Sequence, residues 1–154
     1  MTSLCAEVLR SLAGKTLATA ESCTGGGIGA ALTGISGSSA VYKGGIISYC
    51  NEIKHALLGV EETKLSHFGA VSAPVAEAMA AGARKALHTD VAVSVTGLAG
   101  PGGDDFENPV GTVYIGYADA ERVVSRRFLF EGDREQIRAQ ATKAALELIL
   151  AFRM

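Results

Sequence analysis

Residues 91–96, with the sequence Val-Ala-Val-Ser-Val-Thr, form an apolar run that predicts a β-strand buried on both faces. A sheet that contains such a strand needs a covering layer on each side, and helices supply both layers in α/β proteins. The segment before it carries an apolar stripe at Val75, Met79, Ala83 and Leu87, a spacing typical of an amphipathic helix. We therefore expect a central sheet between two layers of helices.

The same periodicities predict the other elements. We expect helices over residues 2–13, 25–34, 52–58 and 134–151, a helix capped by Ser72, and strands over 16–20, 41–49, 91–96, 110–117 and 122–130. The short turn 118–121 favours an antiparallel hairpin, Gly44 and Gly45 predict a bulge, and Asp133 with Gln136 has the spacing of a capping box. This order predicts an α/β fold, a three-layer α/β/α sandwich with a mixed sheet of about five strands, in a single domain over residues 1–154.

Composition excludes several classes of function. Sixteen acidic and fourteen basic residues give the 154-residue chain a net charge of −2, so we expect no nucleic-acid partner. Because no apolar run reaches the ~20 residues of a membrane span, we expect no membrane association. The three cysteines form no CxxC pair, which indicates reduced thiols and a cytoplasmic location. A compact chain of this size commonly pairs with itself, so we expect a homo-oligomer.

The densest group of chemically useful residues is 21–27, Glu-Ser-Cys-Thr-Gly-Gly-Gly, between a predicted strand and a predicted helix. Ligands of open α/β sheets bind at such strand ends, and backbone N–H groups at a helix N-terminus attract anions. A tight turn with a Ser or Thr cap explains the segment equally well. Gly25, Gly27 and Ala30, with Glu52 further on, also match a dinucleotide-binding pattern loosely. Cys23 has the chemistry of a thiol nucleophile, although a buried filler is the more common role of such a residue.

A second group surrounds Tyr49 and Lys54, at the end of one predicted strand and the start of the next helix. The helix dipole disfavours a positive charge there, which lowers the pKa of Lys54 and makes its amine a better base. A neutral amine can take the proton of a serine hydroxyl in place of histidine. The alternative is an ordinary solvated lysine.

The third group, residues 96–103, follows the strand 91–96 and is rich in glycine, as many binding loops are. Asp104, Asp105 and Glu107 come next, and without a neighbouring histidine we interpret them as solvated charges rather than metal ligands. The three histidines also lack metal-ligand spacing, so we expect no metal and no other cofactor.

Arg134 and Arg138 lie one turn apart on the last predicted helix. Guanidinium groups bind phosphate bidentately, so one or both arginines can hold a phosphate. Two surface arginines would have the same spacing.

Eight segments together, in chain order, resemble the CinA C-terminal domain family of competence/damage-inducible proteins. They are residues 20–26, 37–40, 49–54, 58–60, 69–72, 96–103, 109–113 and 132–134. The resemblance covers residues 4–150 or so. It implies a three-layer α/β/α fold and hydrolysis of nicotinamide mononucleotide (NMN), a small-molecule substrate, to nicotinate mononucleotide and ammonia without a metal. Many relatives carry an additional N-terminal domain that resembles molybdopterin-binding proteins, and we expect none in this chain.

The resemblance also implies roles for individual residues. Ser22 is then the nucleophile, Lys54 its base and Tyr49 an assisting catalytic residue. The implied substrate-binding residues are Thr24, Gly25, Gly26, Thr96, Gly97, Gly100 and Arg134. The alternative is a nucleotide-binding module without catalysis, which uses the same turns to sense a nucleotide within a competence or DNA-damage complex.

Overall fold

A computed structural model describes residues 1–153. Six helices, five strands and one 3-10 turn follow each other in an alternating order. They are α1 (Thr2–Ser11), β1 (Leu17–Glu21), α2 (Gly27–Thr33), the 3-10 turn Ser38–Ala40, β2 (Tyr42–Ile47), α3 (Asn51–Leu58), α4 (Glu62–Phe68), α5 (Ala73–Leu87), β3 (Val91–Gly97), β4 (Thr112–Ala118), β5 (Val123–Leu129) and α6 (Arg134–Phe152). None of these described helices is both long enough and apolar enough to span a membrane.

The five strands form one mixed sheet in the order β2-β1-β3-β4-β5. Strand β1 pairs in parallel with β2 and with β3, whereas β4 pairs antiparallel with β3 and with β5. This pairing confirms the predicted mixed sheet and the hairpin. The register of β1 and β2 shifts between Leu17 and Ala18, opposite Tyr42 and Gly44. The predicted bulge is therefore present. Parallel pairing of β1 and β3 brings the chain segments that leave their carboxyl ends to the same edge of the sheet.

Strand β3 lies at the centre of the sheet and is buried along residues 91–96, as its sequence predicts. Its valines pack with α1, α2 and α6, whereas Ala92 packs with α5 on the other face. Ser94 also serves the α5 side, because its hydroxyl donates a hydrogen bond of 2.6 Å to Ala76 O. Small residues on this face let α5 approach the sheet closely. The two layers of helices and the sheet between them form the predicted α/β/α sandwich.

The structure differs from the sequence-based expectation mainly in one helix and in the caps. Helix α4 was not predicted, because seven residues with Leu65 as the one buried side chain carry no apolar stripe. Helix α3 begins at Asn51, one residue before the predicted start, with Cys50 as its N-cap. Ser72 is the N-cap of α5, but its hydroxyl donates to Gly69 O instead of accepting a bond from the helix. The capping box of Asp133 and Gln136 on α6 is confirmed.

Replacement of Gly82 by alanine should destabilise the protein, against the usual preference of helices for alanine. Helix α3 approaches α5 at this glycine so closely that a Cβ atom would overlap Leu58 O. Because backbone cannot yield as a flexible side chain does, we expect a loss of about 1–3 kcal/mol and a melting temperature lower by several degrees. Gly102→Ala is the control, since a Cβ there meets open space. Equal melting temperatures for the two variants would contradict the close approach.

Candidate active site

A cavity of about 520 Å³ opens at the shared edge of the sheet, where β1 and β3 end. Seven of the ten site residues that the family resemblance implies line it, namely Ser22, Tyr49, Lys54, Thr96, Gly97, Gly100 and Arg134. They come from the end of β1, the loop between β2 and α3, the first turn of α3, the end of β3 with the loop that follows it, and the start of α6. The fold therefore joins groups that are more than a hundred residues apart in the chain.

Ser22 and Lys54 are in direct contact in this cavity. The distance between Lys54 Nζ and Ser22 Oγ is 3.1 Å, and Nζ also donates a hydrogen bond of 2.9 Å to Ser48 O. Both side chains are buried, with only 1% of Lys54 and 7% of Ser22 exposed. The alternative of a solvated lysine is therefore wrong.

Burial is also what tunes the amine chemically. Loss of solvation lowers the pKa of Lys54, because a charged ammonium is disfavoured away from water. Within residues 1–153, no carboxylate lies within ion-pairing distance of this amine to restore the charged form. A neutral amine can donate to Ser48 O and still offer its lone pair to the hydroxyl proton of Ser22. The pair has the geometry of a nucleophile and its base.

The turn after Ser22 is organised by Glu21, which the sequence does not reveal as a structural residue. The buried carboxylate of Glu21 accepts hydrogen bonds from the Ile28 N–H at 2.8 Å and the Gly29 N–H at 3.0 Å, in the first turn of α2. It also accepts one from Thr24 Oγ1 at 2.7 Å. A protein carboxylate thus occupies the position that we expected for a ligand anion. The loose dinucleotide-binding pattern loses its phosphate site for the same reason.

Three predicted substrate-binding residues consequently lie elsewhere than expected. The hydroxyl of Thr24 is committed to Glu21, and Gly25 and Gly26 are not part of the cavity wall. The N–H of Gly25 donates to Ser22 O at 3.1 Å, which closes the turn. Both glycines have positive φ angles, +61° and +101°, which glycine adopts at low cost, and this backbone geometry makes the tight turn possible.

Arg134 and Tyr49 form a second polar group at the cavity. Arg134 Nη2 donates a hydrogen bond of 3.0 Å to the Tyr49 hydroxyl, and Nη1 donates one of 2.8 Å to Gly100 O. Tyr49 is 63% exposed and its hydroxyl contacts Arg134, not the Ser22–Lys54 pair. The structure therefore separates a buried nucleophilic end of the cavity from an exposed cationic end.

The loop beyond β3 closes another side of the cavity. Thr96 donates its hydroxyl hydrogen to Ala70 O at 2.8 Å, which ties β3 to the segment before α5. Asp104 accepts hydrogen bonds from the Phe106 and Asn108 N–H groups and from the Asn108 side chain, so it orders the loop and is not merely a solvated charge. The described residues contain no group of three or more His, Cys, Asp and Glu side chains placed to hold a metal ion.

Two alternatives from the sequence are decided by position. Burial raises the pKa of the Cys23 thiol to about 11, which keeps it protonated and a poor nucleophile at neutral pH. Arg138 does not line the cavity, because its guanidinium group donates to Cys23 O and Thr24 O. Of the two arginines, Arg134 is therefore the one that remains a candidate to bind a phosphate in the cavity.

Comparison with known proteins gives the same family throughout. The family model for the CinA C-terminal domain matches residues 1–152. The nicotinamide-nucleotide amidohydrolase PncC of Escherichia coli K12 is 48% identical over 137 residues, 88% of this chain and 83% of that protein. A CinA-like protein of Thermosynechococcus vestitus is 51% identical over 138 residues, 88% of this chain but 33% of that longer protein.

Solved structures agree with the sequence relatives. The competence/damage-inducible protein CihA of Agrobacterium tumefaciens superposes with a TM-score of 0.95 at 39% identity, covering 99% of this chain and 95% of that one. The competence damage-inducible protein A of Klebsiella pneumoniae has a TM-score of 0.95 at 35% identity, covering 99% and 98%. With its fold and nearly its whole length matched, this chain belongs to the CinA C-terminal domain family.

Proposed function

We propose that the protein is a nicotinamide-nucleotide amidohydrolase that hydrolyses the carboxamide of NMN through a Ser22–Lys54 pair. The observation that carries the proposal is the 3.1 Å contact between the two side chains, buried in a cavity at the shared strand end. The 48% identity to the nicotinamide-nucleotide amidohydrolase PncC supports the choice of substrate.

The chemistry begins with proton transfer. Neutral Lys54 takes the hydroxyl proton of Ser22 while Oγ attacks the carboxamide carbon of NMN. Backbone N–H groups of the cavity wall, which includes Cys23 and the loop at Gly97 and Gly100, stabilise the resulting oxyanion. The ammonium of Lys54 then returns the proton to the leaving nitrogen, so ammonia departs and a Ser22 ester remains.

Water completes the cycle. Lys54, neutral again, takes a proton from a water molecule that attacks the ester carbon, and the proton passes to Ser22 Oγ as nicotinate mononucleotide leaves. Every proton moves between Ser22, Lys54, substrate and water, so the route requires no metal. The position of Lys54 suits both acid and base roles, whereas the Tyr49 hydroxyl is held by Arg134.

The exposed end of the cavity fits the other half of the substrate. Two N–H groups of Arg134 are used by Gly100 O and Tyr49, and a guanidinium has five, so further donors remain for a phosphate. We assign the NMN phosphate to Arg134, with Tyr49 holding the guanidinium group in place. Thr96, Gly97 and Gly100 line the same cavity as Arg134 and Ser22.

Ser22→Ala should abolish ammonia release from NMN. Without the hydroxyl there is no nucleophile, and we expect turnover to fall by at least about 10³-fold. The measurement is ammonia production by purified protein with EDTA present, and Ser66→Ala on the exposed face of α4 is the control. Undiminished release by Ser22→Ala would sink the covalent route. If the unmodified protein binds NMN in calorimetry but releases no ammonia, the alternative of a non-catalytic nucleotide-binding module replaces this proposal.

The pH profile should report the state of Lys54. Because burial lowers its pKa, the neutral base forms below the ordinary lysine value of about 10.4, and kcat/KM should rise with pH to a midpoint below that value. Lys54→Arg keeps a charge that cannot be removed and Lys54→Met keeps the length without an amine, so both should lose activity. Lys143→Met, on the exposed face of α6, should match the unmodified protein. An active Lys54→Arg variant would refute the base assignment.

Arg134→Gln should impair NMN far more than a substrate without phosphate. Loss of a charged hydrogen bond to phosphate predicts a KM for NMN higher by about 10–100-fold. Steady-state kinetics with NMN and with nicotinamide riboside, which lacks the phosphate, separates phosphate binding from general damage to the cavity. A proportional loss on both substrates would argue against the phosphate assignment.

A further inference from the structure

Arg138 does not line the cavity and instead holds the turn that follows Ser22. It lies on α6, one turn beyond Arg134, and is partly buried. Its Nε donates a hydrogen bond of 2.9 Å to Cys23 O, and its Nη2 donates one of 3.3 Å to Thr24 O. One guanidinium group thus fixes the two carbonyls immediately after the nucleophile.

The same turn is held from its other side by Glu21. Its carboxylate accepts from Thr24 Oγ1 and from two N–H groups of α2, and 2% of the residue is exposed. Glu21 supplies acceptors from β1, whereas Arg138 supplies donors from α6. Neither residue lines the cavity.

The chain at this point needs such support. Gly25 and Gly26 follow at once with positive φ angles, and glycine restricts the backbone less than any other residue. The sheet fixes the other side of Ser22, where the Ser22 N–H donates to Val95 O at 3.0 Å. Since a trans peptide places N–H opposite to C=O, holding the Cys23 carbonyl also fixes the direction of the Thr24 N–H.

We infer that Arg138 is a positioning residue for the proposed reaction. It orients the two peptide groups after Ser22 and thereby keeps Ser22 Oγ within hydrogen-bond distance of Lys54 Nζ, without contacting the substrate. The inference rests on the proposed function for its kinetic consequence, but the orientation of the turn can be tested without any substrate.

The first test compares Arg138→Met with Arg138→Lys and with Lys143→Met, an exposed change on the same helix. For Arg138→Met we expect kcat for NMN lower by roughly 10–100-fold, because a small misplacement of a reacting group has this effect, and KM within about threefold. Arg138→Lys retains a hydrogen-bond donor, so its kcat should lie between those of Arg138→Met and the unmodified protein. In a further variant, Arg138→Ala, ethylguanidinium added to the solution should replace the missing side chain and recover part of kcat. A purely structural role predicts a lower melting temperature with kcat per folded molecule unchanged, which would overturn the inference. A rise in KM alone would also overturn it, since Arg138 would then act on substrate binding.

The second test is amide hydrogen exchange of the unmodified protein and Arg138→Met, without ligand. Faster exchange confined to residues 23–28 is expected, whereas an unchanged rate there would overturn the inference. If the unmodified protein releases no ammonia from NMN, the proposed function fails, and hydrogen exchange alone decides on Arg138.

Discussion

The burial of one lysine amine against one serine hydroxyl is the interaction on which the candidate site depends. An ammonium in the position of Lys54 would be poorly solvated, and the amine instead finds Ser48 O and Ser22 Oγ within hydrogen-bond distance. No carboxylate of the described residues lies within ion-pairing distance of this amine. Burial therefore lowers the pKa of a group that would be a solvated cation on the surface, as the proposed base role requires.

The sheet topology is what brings the two groups together. Ser22 directly follows β1, and the parallel neighbours β2 and β3 end at the same edge. Helix α3 starts close to the end of β2 and carries Lys54 one turn into the helix, so that its side chain reaches back to Ser22. The packing of α3 on α5 at Gly82 keeps this helix at a fixed distance from the sheet. Strands β4 and β5 complete the sheet on the opposite side of β3 and take no part in the contact.

Two charged residues next to the cavity serve the backbone rather than the ligand. Glu21 caps α2 and Arg138 holds the carbonyls of the turn, and together they fix a segment rich in glycine. The turn matches anion-binding patterns in sequence, but the Glu21 carboxylate already accepts hydrogen bonds from the Ile28 and Gly29 N–H groups that would bind an anion. The cationic group that remains at the cavity is Arg134, at the exposed end, where Tyr49 orients it.

The sequence alone determined the fold class, because periodicity is a local property. The buried run 91–96 and the amphipathic stripes predicted the mixed sheet and its two covering layers. The motifs singled out Ser22, Lys54 and Arg134, which the structure brings to one cavity. The sequence does not predict helix α4, because seven residues with one buried side chain show no apolar periodicity. Only the tertiary structure decided which neighbours each side chain contacts. Arg138 binds the turn after Ser22 whereas Arg134 lines the cavity, Glu21 caps the N-terminus of α2, and Lys54 is buried. Burial and hydrogen-bond partners come from residues far apart in the chain, so no local pattern can report them.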